Sequence, residues 1–430
     1  MRGLNARDVA VSFRVDFLSM RIFPKTASKD AKRAIIARGL RAIGDGYVSI
    51  IMPAYLLALG YNAFEIGALM TATLLGSATL TLLAGMITAR FGEKRPLIAA
   101  STLMMFTGLG FAGFESFWPL LLIAFVGTLN PSVGDVSVFL PLEQSLLARS
   151  AGERDRTLVF AFYSMSGSLM GALGTLFAGV SDMAPRLLAI SSLDAMRLLF
   201  VIYAGIGVAA AVIYRGVSDA GTGSHEVRAT PLGPSKGIVY RIAALFAVDS
   251  FAGGFTVQSI LALWLLQTFH LPVSTTSNIF FWTGLFAAAS FLASVPIARR
   301  FGLVNTMVFT HLPSNLCLVA IPFVSNLEMV IALLIVRSLL SQMDVPTRRS
   351  YVMAVVTPPE RAAAASLTTV PRSLASAVGP IIAGYLIALS SFGWPLLIGG
   401  ALKIVYDLAL LAMFRHVRPP EERIARPNVT

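Results

Sequence analysis

Long apolar runs separated by short polar segments make up most of this chain between about residue 40 and residue 414. A helix that crosses a bilayer needs about 20 mostly apolar residues. We predict a transmembrane helix in each of twelve such runs: 40–59, 65–88, 97–114, 118–140, 157–180, 196–214, 240–266, 277–298, 303–324, 327–345, 362–389 and 395–414. The pattern therefore predicts an all-α integral membrane protein with twelve transmembrane helices.

The second half of the chain repeats the first. Residues 140–179 align without a gap with residues 345–384, and a shorter segment, 87–92, matches 297–302. Two equivalent halves predict two pseudo-symmetric six-helix bundles. Membrane chains built in this way place a ligand site between the halves, and the halves rock about it.

The longest interior polar stretch, 215–239, lies between the sixth and seventh apolar runs and is rich in Gly, Ser and Pro. Such a composition is typical of a flexible linker. The chain is therefore divided into a basic cytoplasmic N-terminal arm at 1–33, an N-terminal bundle at 34–214, a cytoplasmic linker at 215–239, a C-terminal bundle at 240–414 and a cytoplasmic tail at 415–430.

Composition agrees with a membrane protein. Hydrophobic residues make up 56% of the chain and charged residues 13%, whereas charged residues are about 25% of an average soluble domain. The mean hydropathy is +0.75. The net charge of +12 comes from basic residues in the arm, the linker, the tail and the loops on one side. This placement predicts a lipid bilayer as the partner, no nucleic acid, and both termini in the cytoplasm.

The sequence predicts no cofactor, no metal site and no enzyme. Cys317 is the one cysteine, the four histidines are scattered, and no Gly-x4-Gly-Lys-Ser/Thr loop is present to hold nucleotide phosphates. No nucleophile, base and orienting residue can be grouped. Transport by such a chain would use an ion gradient or be passive.

Twelve spans in a 6+6 arrangement and a glycine-rich loop after the second span resemble the major facilitator superfamily. The loop matches the signature of that family at Gly85, Arg90, Gly92 and Lys94, and departs from it at Ala89, where the family usually has Asp. The resemblance implies that this loop acts in gating on the cytoplasmic side. The departure implies a latch between the halves that is weaker or built differently.

A second resemblance concerns the family's drug antiporters, which often carry a glycine-rich stretch in the fifth span. Gly167, Gly171 and Gly174 match its glycines, while its proline and final glycine pair are missing; Gly379-Pro380 stands in the equivalent eleventh span. Small residues spaced in this way allow close approach of helix backbones. We expect either simple tight packing or a moving hinge at these positions.

Charged residues inside the spans are candidates for a functional role, because inserting each one at the bilayer centre costs about 2.5–3.5 kcal/mol of free energy. Asp45 and Asp249 occupy matched places in the two halves, and Arg41 lies one helical turn from Asp45. We expect these residues to form a proton, cation or substrate site at a central cavity. The alternative is a structural anchor near the cytoplasmic helix ends.

Four further residues are candidates for the central site. Asn130-Pro131 predicts a broken fourth helix, with Asp135 either lining the site or solvated at the inner mouth. Arg337, deep in the tenth span, either binds an anionic group or pairs with Asp344, Asp135 or another helix. Gln258 in the seventh span is a weaker candidate.

Other polar residues in the spans are predicted to be structural. Lys403 and Asp407 are spaced i,i+4 and are expected to neutralise each other within one helix. His311 and Asn315 are expected to form a satisfied polar stripe. Glu143 has Arg348 as its repeat partner, and either the two pair across the cytoplasmic mouth or both stand in a solvated rim.

The sequence therefore predicts a secondary active transporter that moves a small molecule by alternating access, with proton-coupled export favoured. Organic-anion uptake or facilitated diffusion through Arg337 is the alternative, and a non-transporting membrane sensor on the same fold is a third possibility. A proton or another coupling ion is the expected partner. We expect a monomer in a bacterial inner membrane.

Overall fold

The computed structural model describes residues 28–132, 137–150, 156–218, 232–357 and 360–414. Asp135, most of the N-terminal arm, most of the linker and the tail lie outside the described residues. The helices are α1 Lys29–Ala58, α2 Ala63–Phe91, α3 Lys94–Gly113, α4 Phe117–Val126, α5 Phe139–Ser150, α6 Arg156–Ala178, α7 Val180–Leu188, α8 Ser192–Arg215, α9 Lys236–Gly254, α10 Gln258–Thr268, α11 Val273–Phe301, α12 Leu303–Ala320, α13 Leu327–Ser341, α14 Asp344–Val355, α15 Arg361–Leu389 and α16 Trp394–Phe414.

The prediction of an all-α fold with twelve spans is confirmed. Each predicted span contains helix, although the fourth, predicted at 118–140, has helix only at its two ends, and eight segments of the described chain are long and apolar enough to cross a membrane by length and composition alone. The fourth and seventh spans are each made of two shorter helices, α4 with α5 and α9 with α10.

Polar side chains fix several helix ends. The Ser28 hydroxyl accepts a hydrogen bond from the Ala31 amide at the start of α1, and Asn62 and Glu65 form a reciprocal capping box at the start of α2. Gly92 and Gly302 stand at equivalent positions after α2 and α11, with φ of 70° and 90°. Only glycine adopts this backbone conformation readily, so the repeat preserves the same tight turn in both halves.

Glycines allow close helix crossings inside each bundle. A Cβ atom at Gly174 would lie 2.3 Å from the Ile43 carbonyl oxygen, and one at Gly46 would lie 2.2 Å from that of Gly171. In the second bundle, a Cβ at Gly379 would lie 2.4 Å from the Gly254 backbone. α1 therefore crosses α6, and α9 crosses α15, at backbone contact. Gly167 lies against the Arg38 side chain on the same α1–α6 surface.

The two bundles meet along a seam in the half of the helices remote from the chain ends. At α2 and α15, a Cβ at Gly67 would lie 2.4 Å from the Pro380 carbonyl oxygen, and the Ile381 amide donates to Thr71 Oγ1 at 3.0 Å. At α7 and α11, the Ser274 amide donates to Asp182 Oδ2 at 2.7 Å. Pro380, predicted to act in helix packing, therefore packs between the bundles.

Both ends of the linker are tied to the bundle beside them. The Ser218 amide lies 3.3 Å from Asp30 Oδ1 at the start of α1. Glu360, just before α15, accepts hydrogen bonds from the Gly233 amide at 2.5 Å and the Ser235 hydroxyl at 2.6 Å. The described ends of the linker thus belong to separate bundles.

Candidate functional site

A buried carboxylate is the centre of a polar network inside the N-terminal bundle. Glu143 on α5 is fully buried and forms an ion pair with Arg41 of α1 at 2.5 Å. The hydroxyls of Tyr163 on α6 and Tyr214 on α8 donate to the same carboxylate at 2.7 and 2.5 Å. The Arg41 guanidinium also lies 3.7 Å from the centroid of the Phe139 ring. Four helices are joined through one acid that is paired and hydrogen-bonded, as a buried charge requires.

Asp45 lies next to this network, one turn further along α1. It is 5% exposed, and Arg41, Arg38 and Tyr203 are close enough to interact with it electrostatically or by a hydrogen bond. The direct ion-pair partner of Arg41 is Glu143 and not Asp45. The structure therefore brings Asp45 and Arg41 together, as predicted, but places both inside one bundle.

The C-terminal bundle contains a longer network around Asp249 on α9. Lys403 Nζ on α16 lies 2.9 Å from Asp249 Oδ1, and Arg348 on α14 lies 3.0 Å from Asp249 Oδ2. Arg348 also forms an ion pair with Asp344, one turn earlier on α14. These four side chains are buried and alternate in charge, so each charge has an opposite charge beside it.

The prediction that Lys403 pairs with Asp407 is wrong for this conformation. Asp407 is fully buried and is contacted by His311 Nδ1 at 2.8 Å and by Asn315 Nδ2 at 2.9 Å, both from α12. Because α9 and α12 both pack against α16, Lys403 and Asp407 each find a partner on a different neighbouring helix. His311 and Asn315 form the buried polar stripe that was predicted.

Glu143 and Arg348 do not pair across the mouth of the molecule, and neither stands in a solvated rim. Each is buried in its own bundle and binds the first helix of that bundle, α1 or α9. The sequence repeat had already placed the two residues at equivalent positions. Sequence reasoning missed the partners Tyr163 and Tyr214, which follow no readable spacing.

Asn130 and Gln258 lie where the broken fourth and seventh spans meet α1. Asn130 is 2% exposed; its Oδ1 accepts from the Ser132 amide at 3.0 Å, and its Nδ2 has no hydrogen-bond partner among the described residues. Gln258 Nε2 donates to Ser49 Oγ at 2.8 Å across the seam, and the Ser259 amide donates to the Pro131 carbonyl at 3.1 Å. The helix stops at Val126, before Asn130, so the fourth span is interrupted rather than kinked.

Arg337 lies on α13, half-buried beside Cys317 of α12. Its Nε atom has no hydrogen-bond partner in the described part of the chain. The predicted partner Asp344 binds Arg348 instead, and Asp135 lies outside the described residues. Arg337 therefore does not form the predicted ion pair with Asp344.

The loop after the second span, for which a gating role was predicted, is held by a residue that sequence reasoning missed. Glu93, between Gly92 and Lys94, accepts hydrogen bonds from Ser145 Oγ at 2.8 Å and from Arg149 at 3.2 Å. Both partners lie on α5, so the loop is fixed to the fourth span of its own bundle. The surroundings of Gly85 and the side chain of Arg90 lie outside what the structure describes.

The structure has two six-helix bundles that meet along a seam, and each bundle contains a buried ion network. The sequence profile of the Major Facilitator Superfamily matches residues 34–248 and again residues 242–429. The chain belongs to this superfamily. The two matches correspond to the two halves of the sequence repeat.

Individual relatives agree with this assignment. The chain is 26% identical over 426 residues to the uncharacterized membrane protein YJR124C of Saccharomyces cerevisiae, covering 91% of this chain and 95% of the relative. The solved structure of the nucleoside transporter NupG superposes with a TM-score of 0.68 at 14% identity, over 90% of this chain and 99% of that one. A partially occluded inward-open structure of the xylose transporter XylE from E. coli gives 0.67 at 14% identity, over 92% and 99%. These structures share the fold with this chain.

Proposed function

We propose that this protein is a secondary active transporter that moves a small molecule across a membrane by alternating access, coupled to protons. The observation that carries the proposal is the seam. The named contacts between the bundles lie in the half of the helices remote from the chain ends. A site between the bundles would then be reached from the face that carries both termini.

The orientation and direction belong to the same proposal. Basic residues concentrate in the arm, the linker and the loops on the side of the termini, so we place that face in the cytoplasm. Export is favoured because the glycines of α6, the fifth span, match those of the stretch that is typical of drug antiporters. The bacterial inner membrane predicted from the sequence gains no support from the yeast relative, and we propose only an energised membrane.

Flux measurements on the purified full-length protein in proteoliposomes test the proposal. We expect at least one labelled compound of a broad panel to move faster than through empty liposomes, and an imposed pH gradient to drive it against its own gradient. A protonophore should abolish the accumulation and leave the exchange of labelled for unlabelled compound. Absence of flux for every compound, with a monodisperse protein, would contradict transport and favour a sensor.

Arg337 supports a second candidate function, an organic-anion carrier. Its guanidinium is half-buried on a transmembrane helix and its Nε atom is unpartnered among the described residues. Guanidinium matches the planar geometry of carboxylate and phosphate. Flux of organic anions that survives Asp45→Asn and is lost in Arg337→Ala would favour this candidate over a carrier of cations or neutral compounds.

A further inference from the structure

The charge of one buried pair in the C-terminal bundle depends on a single proton. Asp407 is fully buried, and its two oxygens are contacted by His311 Nδ1 and by Asn315 Nδ2. Asn315 is a neutral donor, so His311 is the titratable group in direct contact. With a neutral imidazole the pair has a charge of −1, and with an imidazolium it has none.

The neighbouring ions do not correct this imbalance. Asp344, Arg348, Asp249 and Lys403 form a chain of alternating charges with as many acids as bases, so that chain is neutral by itself. Asp249 is close enough to interact electrostatically with His311. The excess charge therefore rests on Asp407 unless a proton is bound, and a buried uncompensated charge is costly.

The helices packed against the His311–Asp407 pair carry other titratable and charged groups, and none of these is among the described hydrogen-bond partners of Asp407. Tyr406 packs edge-on against the His311 ring, with centroids 6.1 Å apart, and Arg372 donates to Ser250 Oγ at 3.1 Å. The remaining described cations on these helices are Arg337 on α13, Arg300 at the end of α11, and Lys236 and Arg241 in the first turns of α9. The side chains of Arg299, Arg349 and Arg361 lie outside the described residues. Among the described contacts of Asp407, His311 is the partner that can take up a proton.

We propose that the His311–Asp407 pair is the proton-binding site of this protein, and that Lys403 changes partner when the proton leaves. The proposal rests on the proposed function and deepens it by assigning the coupling site to α12 and α16 rather than to Asp45 or Asp249. In the protonated state the imidazolium neutralises Asp407 while Lys403 binds Asp249, the Lys403 contact that this structure shows. In the deprotonation step one N–H bond of the imidazolium breaks, its electron pair stays on the ring nitrogen, and the proton passes to a water molecule to form hydronium.

Loss of the proton leaves Asp407 without a compensating charge. Lys403 lies one turn earlier on the same helix, the spacing at which a lysine and an aspartate can pair. The Lys403 ammonium then moves from Asp249 to Asp407, and Asp249 keeps Arg348 alone. The tie between α9 and α16 is lost, and α9 also crosses α15, which forms the seam with α2.

Histidine titration by NMR tests the site without any substrate. The full-length protein, labelled with [15N]histidine and reconstituted in nanodiscs, has four histidines, and His311→Gln assigns the signal of His311. The ring nitrogen signals of His311 report whether this proton is bound or released. Asp407→Asn should shift the midpoint of this titration to lower pH, because the compensating charge is removed.

Lys403→Met should shift the midpoint of the His311 titration in the opposite direction to Asp407→Asn. Misfolding of both variants would not produce shifts of opposite sign. Without the Lys403 ammonium, the deprotonated state has no replacement partner for Asp407, so the midpoint should shift to higher pH. His270→Asn is the matched control, because His270 is exposed and has a left-handed backbone that Asn tolerates. It should leave the His311 titration unchanged.

The outcomes separate this inference from the proposed function. A His311 ring that does not titrate between pH 5 and 9, or that shifts in the same direction in Asp407→Asn and Lys403→Met, overturns the inference even if flux is observed. Opposite shifts without flux for any compound support the proton site and contradict transport. With flux present, His311→Gln should reduce accumulation driven by a pH gradient about tenfold or more, as the loss of a 1.4 kcal/mol coupling term would, while His270→Asn keeps it.

Discussion

Glu143 and Arg348 stand at equivalent positions of the repeat, carry opposite charges, and each bind the first helix of their own bundle. Glu143 binds Arg41 of α1, and Arg348 binds Asp249 of α9. Both bundles therefore have an ion pair at the same place in the fold, but the acid and the base have exchanged positions between the two helices. The two halves therefore differ electrostatically at the same place in the fold.

Removing the Glu143 charge should destabilise the N-terminal bundle. Glu143→Gln leaves Arg41 buried without its direct ion-pair partner, and breaking a buried pair in this way costs about 3–5 kcal/mol. Tyr163→Phe removes only one hydrogen bond to the carboxylate and should cost about 1.5–3 kcal/mol. Thermal unfolding in detergent, followed by intrinsic fluorescence, should rank the two variants in this order. Equal stability of wild type and Glu143→Gln would contradict the network.

A side chain at Gly67 should disfavour the closed seam. The added Cβ in Gly67→Ala would lie 2.4 Å from the Pro380 carbonyl oxygen of the other bundle. Overpacking of this kind costs about 1–3 kcal/mol, a shift of about 5- to 150-fold in the equilibrium between conformations. Distances between spin labels on the two bundles should report the change.

Gly205→Ala is the matched control for that experiment. Gly205 is also in a transmembrane helix, and a Cβ added there would have no neighbour within 4 Å. Its distance distribution should equal that of the wild type. A shift of the same size in both variants would show that glycine flexibility, and not the seam contact, was responsible.

Asp182 should stabilise the closed end of the seam, because it binds the other bundle there. It accepts the Ser274 amide at the start of α11, a helix whose own N-cap residue, Pro272, offers no side-chain hydrogen bond. Asp182→Ala should therefore favour opening at this end by about 1.5–3 kcal/mol. In a Cys317→Ser background, a cysteine introduced by Ala63→Cys should react faster with an impermeant maleimide. Asp194→Ala, which removes a carboxylate that accepts a hydrogen bond from Ser191 Oγ within one bundle, should leave the rate unchanged.

Glu360 should keep the end of the linker in place over a wide pH range. Hydrogen bonds from Ser235 and Thr357, together with the amide of Gly233, lower the pKa of Glu360 to about 2. Because the folded-state pKa is depressed, the stabilisation is complete above the unfolded value of about 4.3 and is lost as the pH falls through about 2. Hydrogen exchange of the Gly233 amide, after correction for intrinsic rates, should be constant between pH 5 and 7 and faster in Glu360→Gln. A wild-type change between pH 5 and 7 would contradict this.

The sequence was sufficient for the spans, the repeat and the two-bundle fold, because apolar run length and self-similarity are local or directly alignable signals. It was sufficient to single out Asp45, Asp249 and Arg41 as unusual. It was not sufficient to predict which side chains form ion pairs and hydrogen bonds with each other. Lys403 was paired with Asp407 because the two share a helix face, whereas a lysine side chain is long enough to reach Asp249 on a neighbouring helix. The three groups that bind Glu143 come from three helices, and their arrangement exists only after packing.

The closure of each ion network within one bundle has a consequence for the movement of the bundles. Two of the described contacts that join the bundles, Gln258 with Ser49 and Ile381 with Thr71, connect uncharged groups, whereas Asp182 contributes its carboxylate at the end of the seam. A rocking motion that separates these surfaces exchanges neutral hydrogen bonds and carries no formal charge from one surface to the other. In the proposed rocking motion, the membrane voltage would therefore act on the charges held within each bundle and not on these neutral contacts.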